Sequence, residues 1–245
     1  YIKLNTIKMG YLILIRHGQS TWNLENRFTG WVDVDLTKNG EEEAKKAGEL
    51  IKKLKIEFDD YYSSLQIRSN HTLQIIQKTL NDEKDFKRAW ELNERHYGML
   101  TGLSKIEMKK TLGEEKVHKF RRSWDLRPEP LDRQSPYHPL NIDTYKETPK
   151  ENIPDTESLK DTYERVVGYY KSEIEAKVSN KNILISAHGN SIRALCKYLF
   201  KLNEKQVTKL EIPTGNPLLL EINENRKIKR CKYLDQYRAK DLVVF

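Results

Sequence analysis

Cysteine is scarce: the 245 residues contain two, Cys196 and Cys231, and no CxxC spacing. That argues against a zinc ribbon and against a disulfide-stapled secreted scaffold, and it fits a reduced, cytoplasmic setting. Long apolar runs are missing as well. Nowhere do about 18 consecutive apolar residues occur, and residues 1–10 lack the roughly 7 to 15 residue apolar core of a signal peptide, so neither a membrane span nor export is expected. The sequon Asn70-His71-Thr72 then reads as accidental. There is no low-complexity tract and no tail of like charge; 44 basic and 36 acidic residues are interspersed and leave a net charge of +8. Such a surplus suits an anionic partner without specifying which.

What is present is a pair of matching units. Leu12-Ile13-Leu14-Ile15 is a buried-type strand that runs into Arg16-His17-Gly18. Far downstream, Asn182-Ile183-Leu184-Ile185-Ser186-Ala187 again ends in a His-Gly pair, His188-Gly189, and leads into a helical segment, Ser191 to Leu199. One His-Gly after a strand is an ordinary structural feature. Two of them, at the carboxyl ends of strands that lie side by side in an open α/β sheet, would place both imidazoles in one crevice.

Between these units the pattern predicts a scaffold. Thr37 is a candidate N-cap for a helix with Ala44, Ala47, Leu50, Ile51 and Leu54 on one face, and Glu41–Lys45 and Glu42–Lys46 are candidate i,i+4 ion pairs. Phe58 to Ser64 reads as a second strand, Ile67 to Leu80 as a second helix, and Phe86 to Leu92 as a third strand. Helical signal covers Lys105 to Trp124 and Ser158 to Val178, and late strands are expected at Pro217–Ile222 and Ile228–Leu234. The β-α-β-α order implies a parallel sheet. Six of the eight prolines fall between Pro128 and Pro154, in a stretch too poor in aliphatic residues for its own core. Residues 97–154 are therefore expected to be a lid-like insertion within a single domain spanning 1–245, with 1–10 peripheral.

The string Leu14-Ile15-Arg16-His17-Gly18-Gln19-Ser20-Thr21-Trp22-Asn23 resembles the signature of the histidine phosphatase, or phosphoglycerate mutase-like, superfamily. Longer strings narrow it: Asn23 to Trp31, Leu92-Asn93-Glu94-Arg95-His96-Tyr97-Gly98, Arg121-Arg122-Ser123, Glu157 to Thr162, and Ala187-His188-Gly189-Asn190-Ser191. Together, over roughly residues 11 to 235, these are similar to the cofactor-dependent phosphoglycerate mutases. The resemblance implies a three-layer α/β sandwich with a mostly parallel central sheet flanked by helices. It also implies interconversion of 3-phosphoglycerate and 2-phosphoglycerate, primed by 2,3-bisphosphoglycerate, without a metal, in a homodimer or homotetramer.

Chemistry gives a reason for the residue types. A neutral imidazole is a competent nucleophile that forms a labile N–P bond, so His17 suits phosphoryl acceptance. Arginines offer planar multi-donor contacts to phosphate, which makes Arg16 and Arg68 natural clamps. The resemblance assigns them that role, adds His188 to the same pocket, gives Asn23 a further hydrogen bond, and makes Glu94 the acid/base carboxylate. It puts the substrate's carboxylate among Arg121, Arg122, Tyr97 and Lys105, with contacts from Thr29, Gly30, Gly189 and Asn190. His96 and His118 have no metal-ligand spacing and read as packing or surface residues. Tyr61, Tyr62, Tyr169, Tyr170 and Trp90 read as core or interface. Ile67-Arg68-Ser69-Asn70-His71-Thr72 keeps one basic position at Arg68 and replaces its neighbours with an apolar residue and a histidine, which predicts weaker cofactor binding at the outer rim. The tail, residues 236–245, lacks the family's usual small and basic residues. A phosphatase of the same superfamily is the alternative, with the bisphosphoglycerate synthases as a nearer relative; a basic binding module is a third, and no nucleic-acid motif supports it.

Overall fold

The structure, a computed structural model, describes residues 9–239. Most of the N-terminal segment expected to be peripheral, and the end of the tail from 240 onward, lie outside the described residues. The run Gly-Tyr-Leu-Ile-Leu-Ile-Arg has four aliphatic residues in succession without polar alternation, the pattern of a strand covered on both faces. It forms β1 (Gly10–Arg16). In chain order there follow α1 (Thr21–Leu24), α2 (Lys38–Lys52), β2 (Asp60–Ser63), α3 (Ile67–Leu80), β3 (Lys87–Arg88), α4 (Lys105–Leu112) and α5 (Glu114–Arg122). The last part holds α6 (Leu159–Tyr169), β4 (Ile183–Ala187), α7 (Gly189–Leu199), α8 (Glu204–Lys209), β5 (Leu218–Ile222) and β6 (Ile228–Tyr233).

The six strands make one sheet in the order β3-β2-β4-β1-β5-β6. β4 runs parallel to both β1 and β2, with Leu12 opposite Ile183 and Arg16 opposite Ala187, while β5 and β6 are antiparallel. The mostly parallel sandwich is thus as expected. Alternation along each strand divides the core. Leu12 and Leu14 pack with Val166, Ile192 and Leu195 on the α6–α7 side; Ile13 and Ile15 pack with Ala47, Ile51, Leu73 and Ile76 on the α2–α3 side. All four β1 aliphatics are at most 1% exposed, and each contributes about 1.5–3 kcal/mol by burial.

Several local expectations hold. Thr37 caps α2 through a bond from Gly40 N–H (3.1 Å), and α3 has the bounds read from the sequence. Others need correction. Lys46 pairs with Asp235 (2.7 Å), which follows β6, and not with Glu42, while Lys45 and Glu41 stand exposed and form no ion pair. The third strand shrinks to two residues before a 3-10 turn at Trp90–Leu92. The helical stretch from Lys105 breaks into α4 and α5 at Gly113, whose φ of +84° no helix accommodates. From Pro128 to Pro154 the chain runs irregularly through short 3-10 turns. It packs on the rest through small clusters, one formed by Trp31, Tyr145 and Ile153.

Candidate active site

Two backbones must nearly touch to aim the first His-Gly turn. A Cβ on Gly18 would lie 2.2 Å from the Gly40 carbonyl oxygen, and one on Gly40 would lie 2.1 Å from that of Gln19. Both positions are therefore glycine, and the start of α2 sits directly against the loop that leaves β1.

His17 and His188, at the ends of the paired strands β1 and β4, meet with ring centroids 5.0 Å apart and planes tilted by 58°. His17 Nδ1 is 2.7 Å from the Gly18 carbonyl oxygen. A carbonyl only accepts, so Nδ1 carries the proton and Nε2 keeps its lone pair. Burial first, then the charges of Arg68 and Arg16, holds the ring pKa well below its ordinary value, so the imidazole is neutral. His188 Nε2 lies 2.8 Å from Ser64 Oγ, which also accepts from Gln66 N–H. Burial, followed by Arg68 and His17, keeps His188 neutral as well.

Arg16 gives Nη1 to the Ile212 carbonyl (2.8 Å), and Arg68 gives Nη1 to Val32 and Nη2 to Gly30 (2.9 Å each). What remains is informative: Arg16 Nε, Arg68 Nε and His188 Nδ1 are all buried, and none has a partner among the described residues. Unpaired buried polar groups are costly unless a ligand satisfies them, and clustered around the His17 ring beside two guanidiniums they suit a phosphoryl group. Glu94 is 8% exposed. Its Oε1 accepts from Arg95 N–H (2.7 Å) and Asn190 N–H (3.2 Å), which leaves Oε2 beside Arg16 without a hydrogen bond. Gly189 stands beside both of those groups: a Cβ there would be in ordinary contact with the Arg16 guanidinium (3.5 Å) and Glu94 Oε2 (3.7 Å).

These groups line a cavity of about 130 Å³ with Asn23, Thr29, Gly30, Tyr97, Lys105, Arg121, Arg122 and Asn190. Every residue assigned a catalytic or substrate-binding role from the sequence is at this one cavity except His188, whose ring stands against His17. Asn23 caps α1 reciprocally with Ser20, its side-chain oxygen accepting from Ser20 N–H (3.2 Å), which leaves its amide nitrogen to donate. Burial, with Arg121 and Arg16 nearby, lowers the Lys105 pKa to about 8. His71 is not part of the cavity; its Nδ1 is 2.9 Å from Asp35. Among the described residues no group of three or more His, Cys, Asp or Glu side chains is arranged to hold a metal ion, and no helix is long and apolar enough to cross a membrane.

Three participants escaped the sequence reading. Ser64 orients His188. Arg193 lines the cavity, donates to Leu210 O (2.8 Å) and Asn190 Oδ1 (2.5 Å), and has its pKa pulled to about 10 by burial and Arg122. An arginine between Ile192 and Ala194, on the buried side of an amphipathic helix, was the available signal. Glu211, which also lines the cavity, pairs with Arg122; nothing in the sequence distinguishes it from other carboxylates.

The sequence matches the profile of the histidine phosphatase superfamily (branch 1) over residues 12–139 and 132–233. It is 66% identical to a 2,3-bisphosphoglycerate-dependent phosphoglycerate mutase of Pelagibacter ubique (strain HTCC1062), over 97% of this chain and 100% of that one. The chain belongs to the histidine phosphatase superfamily. Within the superfamily it is also 47% identical to the 2,3-bisphosphoglycerate-dependent phosphoglycerate mutase of Xylella fastidiosa (strain M23), over 91% of this chain and 90% of that one. Among solved structures it superimposes on a mycobacterial glucosyl-3-phosphoglycerate phosphatase with a TM-score of 0.67 at 20% identity, covering 91% of this chain and 98% of that one. The alpha-ribazole phosphatase of Shigella flexneri gives a TM-score of 0.65 at 20% identity, over 89% and 93%. Those two structures share the fold.

Proposed function

We propose that this superfamily member is a glycolytic phosphoglycerate mutase, interconverting 3-phosphoglycerate and 2-phosphoglycerate through a phosphohistidine on His17. The observation that carries the reading is a neutral His17 with a free Nε2 lone pair, set among the buried Nε–H groups of Arg16 and Arg68 and the His188 ring nitrogen Nδ1, all of which lack partners. The high identity to mutases along the whole chain supports the substrate.

The donor set fits a phosphoryl group and suits 2,3-bisphosphoglycerate, which supplies the phosphoryl group that loads His17. In transfer, His17 Nε2 and the substrate hydroxyl exchange the phosphoryl group. Arg16, Arg68 and His188 balance the charge on its oxygens as it moves, and Asn23 adds a donor. Glu94 takes the proton from the accepting hydroxyl through Oε2 and returns it in the reverse direction. Arg121, Arg122, Lys105 and Tyr97 hold the carboxylate, with Thr29, Gly30, Gly189 and Asn190 closing around the carbon chain. Residues 97–154 act as a lid within a single domain and limit hydrolysis by excluding water. The proposal includes a homodimer or homotetramer, no nucleic-acid partner, and the cytoplasm as its setting, where glycolytic substrates are found.

The test is conversion of 3-phosphoglycerate coupled to enolase, with and without trace 2,3-bisphosphoglycerate and with His17→Ala. Turnover that requires the primer, survives a chelator and disappears in the variant is expected. Release of inorganic phosphate in place of 2-phosphoglycerate would make the protein a phosphatase.

A further inference from the structure

A cavity built for anions has a carboxylate at its edge. Arg16, Arg68, Lys105, Arg121, Arg122 and Arg193 line it, and Glu211 forms an ion pair with Arg122 whose side chains are 56% and 17% exposed respectively. Glu211 does not hang from a free loop. The residues on either side, Leu210 and Ile212, are buried, and their carbonyls accept from Arg193 Nε and Arg16 Nη1, at 2.8 Å each. Two cavity arginines therefore hold the backbone on both sides of Glu211, and so its position at the cavity edge. Arg122, the last residue of α5, belongs to the lid segment, so the ion pair also ties the lid to the body of the protein.

We infer that Glu211 is an internal competitor for the substrate's carboxylate: it occupies Arg122 in the free enzyme and must be displaced when a phosphoglycerate binds. The inference rests on the mutase reading of the cavity. An anionic ligand then gains contact with Arg122 only by breaking an existing ion pair, so Glu211 lowers affinity for carboxylate-bearing ligands. An anion that reaches only Arg16, His17 and Arg68 does not meet this competition. Glu211 acts on the substrate through Arg122 and is a specificity determinant without a part in the chemistry.

The experiment measures binding by titration calorimetry to the His17→Ala protein, where no turnover occurs, with and without Glu211→Gln. The ligands are 3-phosphoglycerate and inorganic phosphate. Replacing Glu211 should tighten 3-phosphoglycerate about three- to fivefold, the size of a half-exposed ion pair, and leave phosphate binding where it was. Glu211→Asp, which keeps the charge on a shorter arm, should give a smaller gain than Glu211→Gln. With His17 intact, KM for 3-phosphoglycerate should fall by a larger factor than any change in kcat. Unchanged or weaker 3-phosphoglycerate binding overturns the proposal, and so does an equal gain for phosphate, which would reduce Glu211 to a contribution to the general field. Phosphate binding without any 3-phosphoglycerate binding in either protein would instead refute the mutase reading, and the proposal with it.

Discussion

A buried histidine is set up to stay uncharged, and at His17 the charges of Arg68 and Arg16 add to the effect of burial. The Gly18 carbonyl works in the opposite direction, since it accepts a proton that the ring then retains on Nδ1, and the balance favours the neutral form. The consequence is testable in a pH profile. A nucleophile with an ordinary histidine pKa loses activity below about pH 6.5; the acid limb of kcat/KM for this enzyme should lie lower, because His17 stays unprotonated through that range. An acid limb centred near 6.5 that moves with substitutions at Arg68 would contradict the assignment. At this scale the sequence was a good guide to which residues meet and a poor guide to how they are held. His17, Arg16, Arg68 and Glu94 are visible as motif members, but that Arg68 has two nitrogens bound to the carbonyls of Gly30 and Val32 depends on loop geometry that no spacing encodes.

Elements position these groups through close backbone contact more than through side-chain bonds. The interlock of Gly18 with Gly40 is the clearest case. Alanine is ordinarily favoured over glycine inside a helix by about 1 kcal/mol, yet Gly40→Ala in the first turn of α2 would drive a methyl into the Gln19 carbonyl, 2.1 Å from the ideal Cβ position. We expect a net loss of about 1–3 kcal/mol, read as a lower urea midpoint, together with reduced turnover because the strained loop carries His17. A midpoint equal to or above that of the parent would show that the helix start yields freely. Helix and strand identities were legible here because the periodicity is strong: β1 and β4 are continuous apolar runs, and α3 begins and ends where the pattern does. The failures have two causes. The two-residue β3 and the Lys46–Asp235 pair depend on parts of the chain distant in sequence, about which local pattern contains no information, whereas the break at Gly113 is local, a glycine at φ +84° in open space.

For the whole molecule, three buried histidines couple stability to pH. His17 and His188 are held well below the ordinary value and His96 is lowered to about 3, in each case chiefly by burial. Their folded pKa values lie under the unfolded value of about 6.5, so the unfolded chain binds more protons between the two. Stability is then complete above about pH 6.5 and falls as pH is lowered toward the folded values, by at most about 1.4 kcal/mol per histidine per pH unit. Urea midpoints measured from about pH 7.5 to 5 should decline, and replacing His96 with an apolar residue should flatten the slope; a flat profile in the parent would mean that these rings are protonated in the fold. The overall architecture was readable because the strand-helix alternation and the paired His-Gly units point to the same sheet, whereas the path of residues 128–154 was not, since an irregular segment packed by a few aromatics has no period. The strand order has a further consequence, which concerns synthesis. β1 has β4 and β5 as its neighbours, and β2 meets the rest of the sheet only through β4. A chain emerging from the ribosome therefore presents β1 before the other strands of this sheet and withholds its first flanking partner, β4, until some 170 residues later and its second, β5, for longer still, because β1 begins at Gly10, β4 at Ile183 and β5 at Leu218. During that interval Leu12 to Ile15 have no sheet to enter, and shielding them falls to the ribosome and to chaperones.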